Sequence, residues 1–92
     1  MIVAVHYSYD PSAPLTEIRP RHREFLAELA EQGVIVTSGP LPQSNGALLI
    51  VSADSPEDAL GILDADPFQV ENCIADRTAE EWLPVIGVLA QK

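Results

Sequence analysis

Residues Ile18 to Gly33 read IRPRHREFLAELAEQG, and the periodicity of this stretch sets how the rest of the chain is arranged. Ile18, His22, Phe25, Leu26, Leu29 and Ala30 recur at helical spacing, with Arg23, Glu24, Glu28 and Glu31 facing away. Gly33 follows the last periodic residue and closes the helix at its C-terminus. Pro20 limits the start, because proline is tolerated in the first turn, so the helix is expected to begin at Thr16 or just after it. One residue breaks the apolar stripe: His22 points a titratable ring inward where an aliphatic side chain belongs. Burying a polar group without a partner costs on the order of 1 to 3 kcal/mol, so His22 either bonds a partner or lines a cavity. Imidazole changes charge near neutral pH, which makes such a residue a candidate general acid or base.

Working outward, Ile2 to Tyr7 is an apolar, β-branched run that reads as the first strand, and Ser8 to Leu15, with Asp10, Pro11, Ser12 and Pro14, as a turn. Val34 to Thr37 and Ala47 to Ser52 are two further strands, joined through SGPLPQSNG as an antiparallel hairpin. Ser55-Pro56-Glu57-Asp58 supplies an N-cap, a proline at the first helical position and two acids at the positive end of a second helix, which Pro67 ends or bends. Val70 to Arg77 has strand character, and Trp82 to Leu89 is a last apolar stretch broken by Pro84 and Gly87. The order strand, helix, strand, strand, helix, strand predicts an α+β fold, a ferredoxin-like βαββαβ sandwich with both helices on one face of an antiparallel sheet. The other sheet face is then left apolar and open, so two subunits are expected to pack these faces together into an α+β barrel.

Composition narrows the function classes. Ninety-two residues, 47% of them apolar, suit a single domain spanning 1–92. A net charge of −9 repels phosphate backbones, so nucleic acid is not an expected partner. The first residues lack a basic leader and no apolar run is long enough to span a bilayer, so no membrane association and a cytoplasmic location are expected. Cys73 is the only cysteine, read as a small buried hydrophobe.

The chemistry-bearing candidates are few. Asp66 precedes Pro67, which disfavours helical backbone at Asp66 and holds its carboxylate at the end of the second helix, where it can orient His22 or take its proton. Ser38-Gly39-Pro40 ends the second strand, offering a hydroxyl and a backbone N–H to a ligand. His6, at the close of the first strand, and Phe68 are expected substrate contacts. The spacing of the two histidines matches no metal motif, and there is neither a G-x-S-x-G elbow nor a phosphate-cradling glycine loop, so no metal or other cofactor is expected.

The helix Arg19-Pro20-Arg21-His22-Arg23-Glu24-Phe25-Leu26, Gly33, Ser38-Gly39-Pro40, Gly46, Asp64-Ala65-Asp66-Pro67-Phe68 and Glu81-Trp82 together resemble the YciI-like (YCII-related) family over nearly the whole chain. The resemblance implies a dimeric α+β barrel of ferredoxin-like subunits, similar in fold to muconolactone isomerases and small monooxygenases. It also implies a histidine and aspartate pair as active site, which falls on His22 and Asp66, with Ser38 as a third member. A dehydrochlorinase of a chlorinated hydroxyhydroquinone belongs to a subset of that family. Two functions are carried forward. One is a small cofactor-independent enzyme for lyase- or isomerase-type proton transfer on a small organic molecule, with His22, Asp66 and Ser38 catalytic. The other is a non-catalytic homodimeric module that binds a small molecule or supports a larger pathway enzyme as an accessory protein.

Overall fold

The computed structural model describes residues 1–90. The elements run β1 (Ile2–Tyr9), α1 (Leu15–Glu31), β2 (Ile35–Leu41), β3 (Gly46–Ser52), α2 (Pro56–Leu63), α3 (Pro67–Val70) and β4 (Ile74–Glu81). The sheet order is β2-β3-β1-β4 with every neighbour antiparallel, the ferredoxin-like arrangement expected from the element order.

Alternation along β1 sets the layers. Val3, Val5 and Tyr7 are fully buried, and they pair across the sheet with Val51, Leu49 and Ala47 of β3. Ala59 and Leu63 of α2 join this cluster, and Phe25, Leu26 and Leu29 of α1 pack against it, so both helices cover the same sheet face. Each fully buried aliphatic side chain contributes roughly 1.5 to 3 kcal/mol relative to exposure. Ile2, Ala4 and His6 alternate onto the opposite face. Ser55 caps α2 by accepting the Asp58 N–H at 3.0 Å. Arg77 of β4 crosses to the end of the same helix, pairing with Asp64 and donating to the Leu60 carbonyl at 3.3 Å, which puts a cation on the negative end of the helix dipole.

Element boundaries depart from the sequence reading in five places. β4 runs Ile74–Glu81 rather than Val70 to Arg77, because Val70 closes the short helix α3 and the chain turns before the strand begins. β1 continues through Ser8 and Tyr9, because pairing with β4 carries on past a register shift and the Tyr9 N–H reaches the Asn45 carbonyl at 3.0 Å. The turn begins only at Asp10, whose carboxylate accepts from the Ser12 N–H and hydroxyl. β2 likewise runs to Leu41, so Ser38, Gly39 and Pro40 lie within a strand rather than after it; as an edge strand, β2 accommodates a proline without an N–H. Pro20 lies inside α1, past the first turn, where its exposed ring costs the Thr16 carbonyl one ladder bond. The second helix stops at Leu63, and Pro67 opens α3 instead of ending α2. Beyond β4, residues 82–89 form neither helix nor strand after the Trp82 N–H bonds the Ile2 carbonyl at 2.9 Å.

Gly46 opens β3 where no side chain fits, since a Cβ there would lie 2.1 Å from the Tyr7 carbonyl oxygen. That oxygen belongs to the β1 backbone and cannot swing aside. Gly46→Ala is therefore expected to destabilise the fold by roughly 1 to 3 kcal/mol, the usual cost of overpacking, read as a lower urea midpoint at unchanged slope.

Candidate functional site

The site begins with a helix start. Asp66 takes an extended ψ of 127° before Pro67, as the proline requires, and its carboxylate caps α3 by accepting the Phe68 N–H at 3.0 Å. This N-cap turns the side chain toward the interior, where it is completely buried. The same carboxylate accepts the Tyr7 hydroxyl from β1 at 2.9 Å and lies 2.8 and 3.0 Å from His22 Nδ1 of α1.

These contacts set the proton positions. The Phe68 N–H is an obligatory donor, and the Tyr7 phenol is pushed well above its usual pKa, first by burial and then by Asp66, so it too stays protonated and donates. With two donors already on it the carboxylate acts as acceptor, and His22 Nδ1 supplies the third N–H. The neutral ring then carries its lone pair on Nε2. Among the described residues no buried polar side-chain atom lacks a partner, and Nε2 makes no hydrogen bond, so Nε2 reaches accessible surface. The ring plane is held from one side by Phe68, stacked at 4.0 Å and 13°, with Tyr9 edge-on to Phe68 at 5.3 Å.

His22 lines a cavity of about 350 Å³ between α1 and the edge strand β2, together with Ser38, Gly39, Phe68, Tyr9, Leu26 and Leu49. The volume is in the range of small-molecule sites. Ser38 pairs with Leu49, which places it on the helix-facing side of the sheet. Asp66 lies behind His22 and does not line the cavity. His6 is not brought to this site: it pairs with Leu48 and Thr78 on the opposite sheet face, because its neighbours Val5 and Tyr7 take the inward positions. Nor does Asp66 end the second helix, since it caps the next one.

The sequence reading missed Tyr7, the third anchor of the carboxylate, although period-two alternation with Val3 and Val5 already turns its hydroxyl inward to need a partner. It also missed Tyr9, Arg19 and Arg23 on the cavity wall, having turned Arg23 toward solvent. Cys73 is fully buried, and burial pushes its thiol up, so it is a packing residue. Among the described residues no three of His, Cys, Asp and Glu gather as a metal site, and no helix is long and apolar enough to cross a membrane.

A four-stranded ferredoxin-like sheet with a buried His–Asp pair opening on a helix–sheet cavity defines a class of small α+β domains. Within that class, the profile described as YCII-related domain matches residues 1–83, and the chain belongs to this family. Among solved structures, the 5-chloro-2-hydroxyhydroquinone dehydrochlorinase TftG from Burkholderia phenoliruptrix AC1100, in complex with 2,5-dihydroxybenzoquinone, superposes with a TM-score of 0.71. The two chains are 21% identical over 91% of this one and 95% of that one, a likeness that establishes a common fold. No curated protein sequence matches the chain.

Replacing Asp66 by Asn keeps the size but turns an amide nitrogen toward a donor. Asp66→Asn is expected to lower stability by roughly 1 to 3 kcal/mol and to shift the His22 proton from Nδ1 to Nε2. Ring ¹⁵N shifts of His22 report both tautomers, and a native ring protonated only on Nε2 would contradict the hydrogen-bond assignment.

Proposed function

We propose that the chain is a small cofactor-independent enzyme that moves a proton on a small organic molecule, in an elimination or isomerisation. The observation that carries this reading is the polarity of His22: Nδ1 is held by a buried carboxylate, while Nε2 has no protein partner on a ring that lines a cavity of ligand size. In this reading Nε2 removes the substrate proton, Asp66 stabilises the imidazolium that results, and the same nitrogen returns the proton at another atom or to the departing group. Ser38 and the Gly39 backbone receive a substrate oxygen on the facing wall, and Phe68 fixes the plane of the ring. The ligand in the complex of the structurally similar dehydrochlorinase, 2,5-dihydroxybenzoquinone, is a flat small molecule and supports a substrate of that size.

General acid–base catalysis is typically worth about 10²- to 10⁴-fold, so His22→Asn should lower the rate by that factor while the variant stays folded. A suitable first assay follows chloride release and quinone absorbance with 5-chloro-2-hydroxyhydroquinone and related hydroxyquinols. A wild-type rate in the variant would remove His22 from catalysis. The competing reading, a binding module with a structural His–Asp pair, predicts ligand binding at the cavity without turnover and a His22 ring whose protonation never changes across neutral pH.

We further propose that the working form is a homodimer joined through the sheet face opposite the helices. Leu48 and Val36 are each more than a third exposed, and Leu83, Val85, Ile86 and Val88 after β4 are exposed by 66%, 76%, 92% and 102%. Apolar surface of this kind is a cost in water unless a second copy covers it. Sedimentation should give twice the 9.9 kDa chain mass at micromolar concentration, and a monomer there would rule the dimer out.

A further inference from the structure

The basic residues of this acidic chain are unevenly placed. Five stand against fourteen acidic ones, yet Arg19 and Arg23 both line the His22 cavity while none of the acidic residues does. The two arginines are four residues apart on α1 and therefore share one face of that helix along the cavity wall. Like charges one helical turn apart repel, an arrangement that calls for an acidic neighbour. Neither has one. Arg19 has Leu15 and Thr16 before it and His22 and Arg23 after it at helical contact spacing; Arg23 has Arg19, Pro20, Leu26 and Ala27. The remaining arginine of the helix, Arg21, has Glu17 four residues before and Glu24 three after. Among the described residues the carboxylate partners of basic side chains are Asp64 on Arg77 and Asp66 on His22, so the guanidinium groups of Arg19 and Arg23 are without a carboxylate.

We infer that the cavity selects a small planar organic anion, a carboxylate or a phenolate- or enolate-type oxygen conjugated to a ring, with its charge at Arg19 and Arg23. This rests on the reading of the cavity as a small-molecule site. The pairing of chemistry with shape is direct. The apolar body of such a molecule lies between Leu26 and Leu49, and its oxyanion accepts from the guanidinium forks on the cavity wall. His22 Nε2 on the same wall is then within the space the ring occupies. Arg19 and Arg23 put positive charge on the cavity wall of a chain of net charge −9, which favours an anion there.

The test uses 2,5-dihydroxybenzoquinone, which is anionic at neutral pH, and its neutral dimethyl ether, 2,5-dimethoxybenzoquinone. Each is titrated into the full chain while the His22 ring and Phe68 amide resonances are followed by NMR. The acid is expected to shift both and to bind more weakly as salt rises, whereas the ether binds far less. Arg19→Gln and Arg23→Gln should each weaken the acid roughly tenfold, the scale of one hydrogen bond to a charged group. Arg21→Gln removes the same unit of charge away from the cavity wall and should leave affinity unchanged. If the ether binds as well as the acid, or Arg21→Gln weakens binding as much as Arg19→Gln, the anion selectivity is overturned while the small-molecule site stands. If neither compound moves a cavity resonance, both readings fall together.

Discussion

The carboxylate of Asp66 is the constraint on which the rest of this molecule depends. A completely buried acid is costly unless every oxygen is met by a donor, and here the donors come from β1, α1 and the first turn of α3. Satisfying one side chain therefore ties together three elements that are far apart in sequence. The Tyr7 hydroxyl belongs to the central strand, His22 to the long helix and the Phe68 amide to the helix that Asp66 itself caps. Because a half-satisfied buried polar network is worse than an apolar core, each of these donors matters to the others.

The same network decides what the histidine is able to do. A ring held at Nδ1 by an acceptor and flat against Phe68 has no freedom to rotate, so Nε2 is aimed in one direction. The cavity that the ring lines is bounded in part by residues with short side chains, Ala27, Ala30, Ser38 and Gly39, which leave room for a ligand. Family membership and the common fold with a dehydrochlorinase set the frame, and the chemistry we propose within it rests on the orientation of this single ring and on the arginines of the cavity wall.

Much of this was legible in the chain itself. The α1 stripe, the inward His22, the Ser55 cap and the Asp66-Pro67 step each rest on spacing or on a local backbone rule, and those rules act over a few residues. Strand ends were less legible. Ser8 and Tyr9 follow no local strand signal, and Ser38-Gly39-Pro40 carries a local turn signal; both are strand because a neighbour in the sheet supplies the pairing. Tyr7 and the two cavity arginines were readable only in hindsight, because periodicity assigns a face but not what that face meets.

The sequence by itself determined the order of elements, the apolar stripe and the one titratable ring within it, the acid held before a proline, and a net charge that disfavours nucleic acid. Only the tertiary structure decided that the acid caps a separate short helix, that Tyr7 completes its shell, that His6 lies on the other side of the sheet, and that Arg19 and Arg23 share a cavity with His22. The physical reason is range. Capping, helical periodicity and proline sterics are settled within a turn or two of chain, whereas burial of a charge and the shape of a cavity depend on which remote surfaces meet, and that is decided when sheet and helices close on a common core.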